Sequence, residues 1–540
     1  MSSANGIFDL IVLGSGGAGC ASAAAAASMG LSVCLLEKSH ELGGGTADSL
    51  GTFWIPNNSL AARQGLFDSQ EQALAYAKYF AGGQEVSANL SAYISQGARV
   101  LDSLLAAGMS FQLALGLPDY FYPVGPHSCA DGRRMIEPAP INISTLGRFA
   151  GALRASNHNV RGVSWNDSVA WGGFANRRNW PAEEVAARMR AGTLGCGEAL
   201  IAQFISYLIK NEKATIRLNA ATRTLLVEGG RVCGVELADS SKLQARCGVV
   251  LATGGYEGSP SLVQRFEGFP EWMNPFGPLN TGDGLTLATG LGAALARIAV
   301  NNSFFIGAAI PGRPEAFFSV GLRGLPMPGA IAVNQHGQRF GDETQFQNMV
   351  MAYQKYDRLE RKFINTPAYM IFDDRFRQKY PVMNAMPGQP AHRDLIRGKT
   401  LLELAAVIGV DPNGLTATVA RFNDDVKRGV DTTFGRGQSA FSRNNAADLE
   451  LTGNPQLAPL ETAPFYAVPL KMGGICSAGL LTDEVARVVS SQGGVINGLY
   501  ACGNAAAPTF LGVGYQGGSS IGAGIVFGYL AAEDAAKRAP

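Results

Sequence analysis

Short apolar runs that end at glycine recur along the chain and predict the strands of a parallel sheet. The first run covers residues 8–13 and the second covers residues 31–36. Neither run alternates with polar side chains, which is typical of strands buried on both faces. The alanine-rich stretch from Cys20 to Met29 lies between them and predicts a helix that ends at Gly30. This succession indicates a βαβ unit.

The same pattern returns later in the chain. Further apolar runs predict strands at 215–218, 222–228, 231–237, 248–255 and 498–504, and a closing helix from about Ser520 to Ala536. The segment Asn280–Gly284 is expected to open another helix, with Thr281 or Asp283 as its cap.

These sheet elements stand on both sides of a long intervening segment. At 540 residues the chain exceeds the size of one compact core. We therefore expect a discontinuous domain made of residues 1–299 and 459–540, with a second domain of residues 300–458 inserted into it. A ligand cleft is expected where the two domains meet.

Three glycines directly after the first strand fit the spacing of a dinucleotide-binding turn. Gly14, Gly16 and Gly19 follow the pattern G-x-G-x-x-G, which permits a tight turn, close approach to a pyrophosphate and close helix packing. Glu37 ends the second strand, where a carboxylate accepts hydrogen bonds from ribose hydroxyls. The adjacent Lys38 leaves recognition of a 2′-phosphate open, although the acid disfavours it.

A second glycine-rich loop favours FAD over NAD as the ligand. Residues Gly43–Ser49 follow the second strand directly, and a long, bent FAD needs a second flexible loop beside its pyrophosphate. No histidine-dependent attachment motif occurs near this loop, so we expect non-covalent FAD. The predicted fold class is α/β with an α+β insert: a Rossmann-like FAD-binding domain carrying a substrate-capping domain.

The expected cofactor site draws on both glycine loops, on the ends of later strands and on the start of the last helix. Its residues are Gly14, Ser15, Gly16, Gly17, Ala18, Gly19, Glu37, Lys38, Gly44, Gly45, Thr46, Ala47, Ser49, Gly51, Thr52, Ala221, Thr253, Gly254, Gly255, Asp283, Gly503, Asn504, Gly518, Ser519, Ser520 and Ile521. The positive end of the last helix is expected to face the flavin, where reduction adds negative charge.

Composition excludes several classes of function. With a net charge of +1, 46% hydrophobic and 16% charged residues, the chain offers no electrostatic basis for binding nucleic acid or an anionic membrane. No apolar run reaches the roughly 18 residues of a membrane helix, and no signal peptide precedes the first strand. We expect a cytoplasmic protein without a transmembrane segment.

The eight cysteines are scattered and match neither a disulfide framework nor a metal or haem motif. The chain is therefore expected to hold no metal and no second redox centre. Electrons that reach the flavin must leave to an external acceptor.

With these elements placed, the chain resembles the fumarate reductase/succinate dehydrogenase flavoprotein superfamily, and within it most closely the 3-ketosteroid Δ1-dehydrogenases. The resemblance covers nearly the whole chain in the family's order. The matching segments are Gly14–Gly19, Gly43–Asn58 with W-I-P-N-N, Pro118–Tyr120, Gly132–Pro138, Asn280–Gly284, Phe465–Val468, Gly479–Val488, Tyr500–Asn504 and Ile521–Ala532 with V-F-G-Y-L-A-A. The last of these and W-I-P-N-N are more specific than the glycine motif.

The resemblance implies a dehydrogenase that introduces a C=C bond next to the carbonyl of a 3-ketosteroid or a related cyclic ketone. In such enzymes a base removes the α-proton and the β-hydrogen leaves as hydride to flavin N5. A tyrosine hydroxyl and a backbone N–H polarise the ketone. The family tyrosine falls on Gly514, so Tyr515 and Gly518 are interpreted as this ketone clamp, with a shift of one residue.

The base is where this chain departs from the family. Asp342-Glu343-Thr344 occupies the family's N-E-S motif, and Gln347 stands where the family places its tyrosine base. Glutamine has no ionisable proton to give or take. Tyr120, which matches a tyrosine that supports the base, and Tyr122 are the nearest substitutes, with Tyr353 more remote.

Two other functions remain open at the level of sequence. One is a flavin-dependent enone or enoate reductase of the fumarate reductase type, and the other is a flavin-binding electron carrier without chemistry of its own. A dicarboxylate substrate is disfavoured, because Gln347 and the Gly514-Tyr515 pair stand where that branch carries arginines. Arg323 and Arg339 offer positive charge, although Arg339 has the position of a hairpin residue.

Overall fold

The computed structural model describes residues 6–82, 87–269, 272–298, 304–310, 313–318, 324–382, 385–393, 395–512 and 514–538. Within these ranges the chain folds around two large sheets, each covered by helices.

The strands are numbered in chain order. They are β1 Ile7–Leu13, β2 Val33–Leu36, β3 Phe53–Trp54, β4 Phe111–Leu113, β5 Met135–Pro138, β6 Ile141–Asn142, β7 Thr193–Leu194, β8 Ala214–Arg217, β9 Thr222–Glu228, β10 Arg231–Leu237, β11 Lys242–Leu251, β12 Leu295–Arg297, β13 Phe304–Ile310, β14 Arg313–Phe318, β15 Ala330–Asn334, β16 Tyr356–Asp357, β17 Lys362–Phe363, β18 Ala368–Asp373, β19 Ile396–Gly398, β20 Phe465–Gly474, β21 Ala478–Leu480, β22 Arg487–Val489 and β23 Val495–Ala501.

The α-helices are numbered in the same way. They are α1 Gly17–Ser28, α2 Gly44–Asp48, α3 Ser59–Arg63, α4 Gln70–Phe80, α5 Ala88–Ala106, α6 Trp165–Ala170, α7 Ala182–Arg190, α8 Cys196–Lys210, α9 Pro260–Phe266, α10 Asp283–Thr289, α11 Phe346–Tyr353, α12 Asp374–Lys379, α13 Leu401–Ile408, α14 Pro412–Arg428, α15 Ala440–Ala446 and α16 Ser519–Lys537. Short 3₁₀ helices cover Ile143–Ala152, Phe174–Asn179, Gly503–Ala505 and Thr509–Leu511.

The first sheet has eight strands and carries the dinucleotide fold. Its main path is β22-β23-β11-β1-β2-β8, and β10 and β9 form an antiparallel extension from β11. The five strands from β23 to β8 run parallel, so their carboxyl ends meet along one edge. In open parallel sheets this edge is where ligands bind. The predicted α/β class with its βαβ start is confirmed.

The second sheet has six strands and is antiparallel. Its order is β14-β13-β20-β18-β15, with β19 beside β20. Buried side chains cover both of its faces, and helices α13 and α14 pack on one of them. The domain division expected from the sequence stays a prediction. The strand β20 pairs in the second sheet although it follows residue 459, so the chain returns to the first sheet only after Gly474.

Several helices begin at residues other than those expected. Helix α1 begins at Gly17, inside the glycine motif, because the turn leads straight into helical geometry. The expected caps of α10 are wrong: its N-cap is Gly282, with φ of 78°, and no side chain caps the helix. Thr281 instead donates a hydrogen bond of 2.7 Å to Asp283. Among the residues that the structure describes, no helix combines the length and apolarity that crossing a membrane requires.

Helices α1 and α16 pack against each other without intervening side chains. A Cβ on Gly528 would overlap the carbonyl oxygen of Ala18, and one on Gly524 would press on the side chain of Ala18. The alanines of α1 are almost all buried. Small residues on both helices therefore bring α16 against the start of α1, close to the glycine turn.

Replacing Gly528 with alanine tests this packing. Intrinsic helix propensity favours alanine by about 1 kcal/mol, but the added methyl group must displace the backbone of Ala18. We expect the free energy of unfolding to fall by about 1–3 kcal/mol, as for overpacked cores. Denaturant unfolding measures the change.

Gly151→Ala serves as the matched control, because a Cβ there meets nothing within 4 Å and Gly151 lies on the surface. The control should change the free energy of unfolding by less than about 0.5 kcal/mol. A gain in stability for Gly528→Ala would show that the two helices do not pack as closely as described.

Candidate active site

A long cavity runs along the carboxyl ends of β1, β2 and β11. Leu13, Leu36 and Ala252 line it where these strands end. Glu37 and Thr222 lie at one end of the lining, and Ile475 and Tyr515 belong to the other. The cavity thus joins the dinucleotide turn to a group of aromatic side chains.

At the turn after β1 the cavity is lined mainly by backbone atoms. Gly14 has φ of 102°, and a Cβ there would overlap the carbonyl oxygen of Ala252. Gly16 caps α1, and the N–H of Gly17 donates to Thr46 Oγ1 at 3.0 Å. The positive end of α1 therefore faces the cavity, which is the arrangement that binds a pyrophosphate.

The carboxylate of Glu37 is held in place by the same turn. Ser15 donates to Oε2 from its N–H at 3.0 Å and from its hydroxyl at 2.6 Å, and the Ser39 N–H donates to Oε1 at 3.0 Å. Glu37 lines the cavity and still has lone pairs to accept from a ligand hydroxyl. Its role on the ribose stays a prediction that this placement supports.

Lys38 is engaged with its own chain. Its Nζ lies 2.7 Å from Asp283 Oδ2 and 2.7 Å from Thr281 Oγ1. An ammonium neutralised in this way is a weak partner for a 2′-phosphate. The arrangement supports the expectation that the ligand carries a free ribose hydroxyl at this position.

Most of the residues expected to bind the cofactor line the cavity. These are Gly14, Ser15, Gly16, Gly17, Ala18, Glu37, Lys38, Gly44, Gly45, Thr46, Ser49, Thr253, Gly254, Asp283, Gly503, Asn504, Ser520 and Ile521. The remaining ones do not line the cavity: Gly19, Ala47, Gly51, Thr52, Ala221, Gly255, Gly518 and Ser519. In place of Ala221, its neighbours Ala220 and Thr222 line the cavity.

The far end of the cavity is an apolar cluster that includes two tyrosines. Tyr515 and Ile475 are buried there, with Tyr120 and Phe276 packed against them. The rings of Tyr120 and Tyr515 meet edge to face, with centroids 6.2 Å apart. Burial raises the pKa of both phenols well above the ordinary value of 10.0. Both hydroxyls therefore carry their protons at neutral pH.

The backbone explains why the tyrosine stands at 515 and not at 514. A Cβ on Gly514 would overlap the carbonyl oxygen of Phe80, so no side chain fits there. Gln516 then ties this loop to the facing segment: its Oε1 accepts from the Tyr76 hydroxyl at 2.5 Å and from the Tyr120 N–H at 3.0 Å. These contacts hold Tyr120 beside Tyr515.

Gly518 lies at the start of α16, with φ of 79°. Its carbonyl accepts from the Trp54 N–H at 3.1 Å, while its own N–H makes no hydrogen bond among the described residues. A helix N-cap with an unused N–H is suited to an oxyanion.

The other tyrosines considered as bases are not brought to this cluster. Tyr122 is half-buried and does not line the cavity. The hydroxyl of Tyr353 donates to the Leu470 carbonyl at 2.9 Å, inside the core of the second sheet. The side chain of Gln347 and all of Arg323 lie outside the described residues.

Three of the segments that carry the resemblance to the ketosteroid dehydrogenases meet in a buried polar network next to Tyr120. Trp54 Nε1 donates to Asp119 Oδ1 at 2.9 Å, and Arg134 lies 3.0 Å from Asp119 Oδ2 and 2.7 Å from Asp68. Asp119 directly precedes Tyr120. This ion-pair network holds the backbone at Tyr120 in place.

The Asp342-Glu343-Thr344 segment has a similar structural role in the second domain. Glu343 is fully buried and pairs with Arg339 at 2.7 Å and Arg436 at 3.3 Å. Burial raises the pKa of Glu343, but these two positive charges outweigh it and lower the pKa overall. Arg339 also pairs with Asp431 at 2.9 Å. It is therefore not available to a substrate carboxylate.

The sequence matches the model of the FAD binding domain family over residues 9–521. The chain belongs to this FAD-binding family. Its cofactor is FAD, and the cavity fits that molecule, since a backbone cradle for a pyrophosphate, a buried carboxylate and an apolar far end occur in one continuous space.

Several relatives of this chain are dehydrogenases of cyclic ketones. A 4-oxocyclohexanecarboxylate 2-dehydrogenase of Sinomonas cyclohexanicum is 35% identical, covering 98% of this chain and 93% of that protein. A 3-oxosteroid 1-dehydrogenase of Mycobacterium tuberculosis is 32% identical, covering 98% and 99%. The resemblance to the ketosteroid dehydrogenases is confirmed.

A solved structure agrees with these relatives. The 3-ketosteroid Δ1-dehydrogenase from Sterolibacterium denitrificans, in complex with 1,4-androstadiene-3,17-dione, superposes with a TM-score of 0.89 at 30% identity. The match covers 99% of this chain and 100% of that one.

Sequence reasoning missed several lining residues. Phe276, Leu279 and Ile475 line the cavity from loops that carry no glycine motif. Phe276 lies in a loop shortly before the segment Asn280–Gly284. Its closeness to that segment is the signal in the sequence that could have indicated it. Ile475 directly follows β20, a placement that depends on the second sheet.

A buried carboxyl beside the cavity gives a test by pH. Glu257 follows the Thr253–Gly255 turn, and burial raises its pKa from 4.5 to about 7. Between these values the folded state holds a proton that the unfolded state has lost, so stability falls as pH rises across this window.

Glu257→Gln replaces the protonated form with a neutral isostere. Between about pH 5 and about pH 8 the free energy of unfolding of the native protein should fall by up to about 3 kcal/mol more than that of the variant. Urea unfolding at both pH values measures this difference. If the free energies of unfolding of the two proteins change equally with pH, Glu257 does not hold this proton in the folded state.

Proposed function

We propose that this protein is an FAD-dependent dehydrogenase that introduces a C=C bond next to the carbonyl of a cyclic ketone. One observation carries the proposal: Tyr515 lines the cavity that begins at the dinucleotide turn, and three residues later Gly518, the N-cap of α16, has an N–H without a hydrogen bond among the described residues. FAD bound along this cavity would be held by the glycine turn and by Glu37, and it would supply the acceptor for the hydride.

The ketone clamp consists of the Tyr515 hydroxyl and the Gly518 N–H. Both groups can donate a hydrogen bond to a ligand, and the raised pKa of Tyr515 keeps its proton in place. Donors that meet the ketone oxygen stabilise the negative charge that it gathers as the α-proton leaves. The apolar surroundings of Ile475 and Phe276 exclude water and strengthen this interaction.

Tyr120 is our proposal for the hydroxyl that takes part in removing the α-proton. It lies against Tyr515 and is positioned by Gln516 and by the buried Asp119. A neutral phenol cannot accept the α-proton, so Tyr120 must first lose its own proton to solvent. Because burial raises the pKa of Tyr120, the phenolate fraction, and with it the rate of proton removal, rises as the solution becomes more alkaline. Bound FAD supplies the acceptor for the two electrons, which then pass to an external acceptor.

Desaturation is favoured over reduction of a dicarboxylate. Arg339, the positive group that the sequence offered, is enclosed by Glu343 and Asp431. The clamp carries neutral donors suited to one ketone oxygen. The side chains that pack with Tyr515 are those of Ile475, Tyr120 and Phe276, which are apolar or phenolic.

The experiment is a dye-reduction assay with the FAD-loaded protein. 4-Androstene-3,17-dione and 4-oxocyclohexanecarboxylate are offered in turn, with a dye as the electron acceptor, and the products are examined for a new conjugated C=C bond. Dye reduction with at least one ketone is expected. No product from either ketone by the flavin-loaded protein would contradict the proposal.

Removing the Tyr515 hydroxyl tests the clamp. Tyr515→Phe keeps the ring in its cluster but loses the donor, and we expect kcat to fall by on the order of 100-fold. Flavin content and the melting temperature should stay unchanged. A rate within about twofold of the native enzyme would show that this hydroxyl does not face the ketone.

A matched pair of variants separates the two candidate bases. Tyr120→Phe is expected to lower kcat by about 100-fold or more, whereas Tyr122→Phe, outside the cavity, should leave it within about twofold. Steady-state kinetics at alkaline pH measure kcat of both variants. The kcat of the native enzyme should still rise with pH in the range where an ordinary tyrosine ionises. Equal losses in the two variants would be incompatible with our assignment.

A further inference from the structure

Three of the glycines in the loop around Tyr515 have different physical reasons to be glycine. Gly514 has the carbonyl of Phe80 where a Cβ would lie. Gly518 has φ of 79°, in the left-handed region that favours glycine. Gly517 is buried and lies outside that region, so its backbone conformation would accept alanine. The reason for a glycine at this position is therefore found in its surroundings.

The side chain of Tyr120 fills the space beside Gly517. A Cβ on Gly517 would lie 2.5 Å from Cε1 and Cζ of Tyr120 and 2.6 Å from its hydroxyl oxygen. These three atoms form the edge of the phenol that carries the hydroxyl. The hydroxyl end of Tyr120 therefore lies against the backbone of Gly517, which stands between the two residues of the proposed clamp, Tyr515 and Gly518.

The backbone of Tyr120 is held by the preceding residue of the same loop. The Tyr120 N–H donates to Oε1 of Gln516 at 3.0 Å, and Gln516 is fully buried. The N–H and the hydroxyl of Ser519 donate to the Gln516 carbonyl at 3.0 and 2.7 Å, which fixes Gln516 relative to the start of α16. The loop thus contacts both ends of Tyr120, so that the proposed base and the proposed clamp form one structural unit.

The chemistry requires base and clamp to be close together. Proton removal breaks a C–H bond on the carbon next to the carbonyl, the proton passes to the phenolate oxygen of Tyr120, and the electron pair moves toward the ketone oxygen. That carbon and the ketone oxygen are bonded to the same carbonyl carbon. The base therefore has to lie within a few ångströms of the donors to the ketone oxygen.

We propose that Gly517 is a positioning residue for this reaction: because it has no side chain, the hydroxyl of Tyr120 lies against the clamp loop and beside the donors to the ketone oxygen. This inference rests on the proposed function. It gives the loop a second task, since the same backbone that presents the clamp also sets the position of the base.

Gly517→Ala tests the proposal in the FAD-loaded enzyme. The added methyl group meets the far end of a side chain rather than backbone, so the protein can accommodate it by moving the ring of Tyr120. We expect kcat to fall by on the order of 100-fold, because a small displacement misaligns a reacting group. The KM for the ketone that the native enzyme desaturates should stay within about threefold, since the methyl group does not meet Tyr515.

A double variant separates positioning from a general loss of packing. Tyr120→Phe already lacks the hydroxyl, so adding Gly517→Ala to it should lower kcat by less than about threefold more. A further fall on the order of 100-fold in this background would show that Gly517 does not act through the Tyr120 hydroxyl, and it would overturn the proposal.

Gly398→Ala is the matched control. Gly398 is buried at the end of β19, and a Cβ there would lie 2.5 Å from the backbone nitrogen of Leu404. It does not line the cavity. This variant should lower the melting temperature but leave kcat within about twofold of the native value. Equal losses of kcat in Gly398→Ala and Gly517→Ala would mean that crowding alone explains the effect, which contradicts the proposal.

Fluorine NMR of the FAD-loaded protein labelled with 3-fluorotyrosine tests the position of Tyr120 without any turnover. The Tyr120 signal is identified by its absence from Tyr120→Phe. Gly517→Ala should move this signal, whereas Gly398→Ala should leave it in place. An unmoved signal in Gly517→Ala refutes the proposal whether or not a ketone is desaturated. A moved signal without turnover of any ketone supports the placement of Tyr120 by Gly517 and contradicts only the proposed function.

Discussion

Close approach of backbone to backbone around the first glycine turn is the constraint on which the rest of the structure depends. Gly14 meets the carbonyl of Ala252 at the end of β11, and Gly19 packs against the carbonyl of Gly14 itself. Gly528 brings α16 onto the same helix from the other side. Any side chain at these points would separate the elements. Their absence leaves a narrow space lined by N–H groups, in which a pyrophosphate fits.

The opposite end of the cavity is built on a different principle. Buried polar contacts, rather than missing side chains, hold the two tyrosines together. Gln516 joins Tyr76 and Tyr120, and the carboxylate of Asp119 joins Trp54 to Arg134. Such a network positions the ring of Tyr120 through its backbone and its neighbours. A fixed cofactor and fixed donors are what removal of a weakly acidic proton requires.

The sequence predicted local features well and the substrate end poorly. The strands 222–228 and 231–237 have the predicted bounds, because they form an antiparallel hairpin around a Gly229-Gly230 turn. The clamp at Tyr515 stays a prediction, and the carbonyl of Phe80 supplies the reason for its shifted position. Contacts between residues far apart in the chain could not be predicted from the sequence. Phe276 and Ile475 reach the tyrosines through the packing of loops, which no local pattern in the sequence shows.

Anaerobic mixing of the FAD-loaded protein with a cyclic ketone tests the central claim most directly, because no other electron acceptor is present. The account predicts that the visible absorbance of the oxidised flavin bleaches in a single turnover, while one equivalent of α,β-unsaturated ketone forms. It also predicts that bleaching is slower in D₂O, where the α-proton exchanges. An oxidised flavin spectrum that stays unchanged at saturating ketone, although FAD remains bound, would contradict the claim that this cavity joins cofactor and ketone.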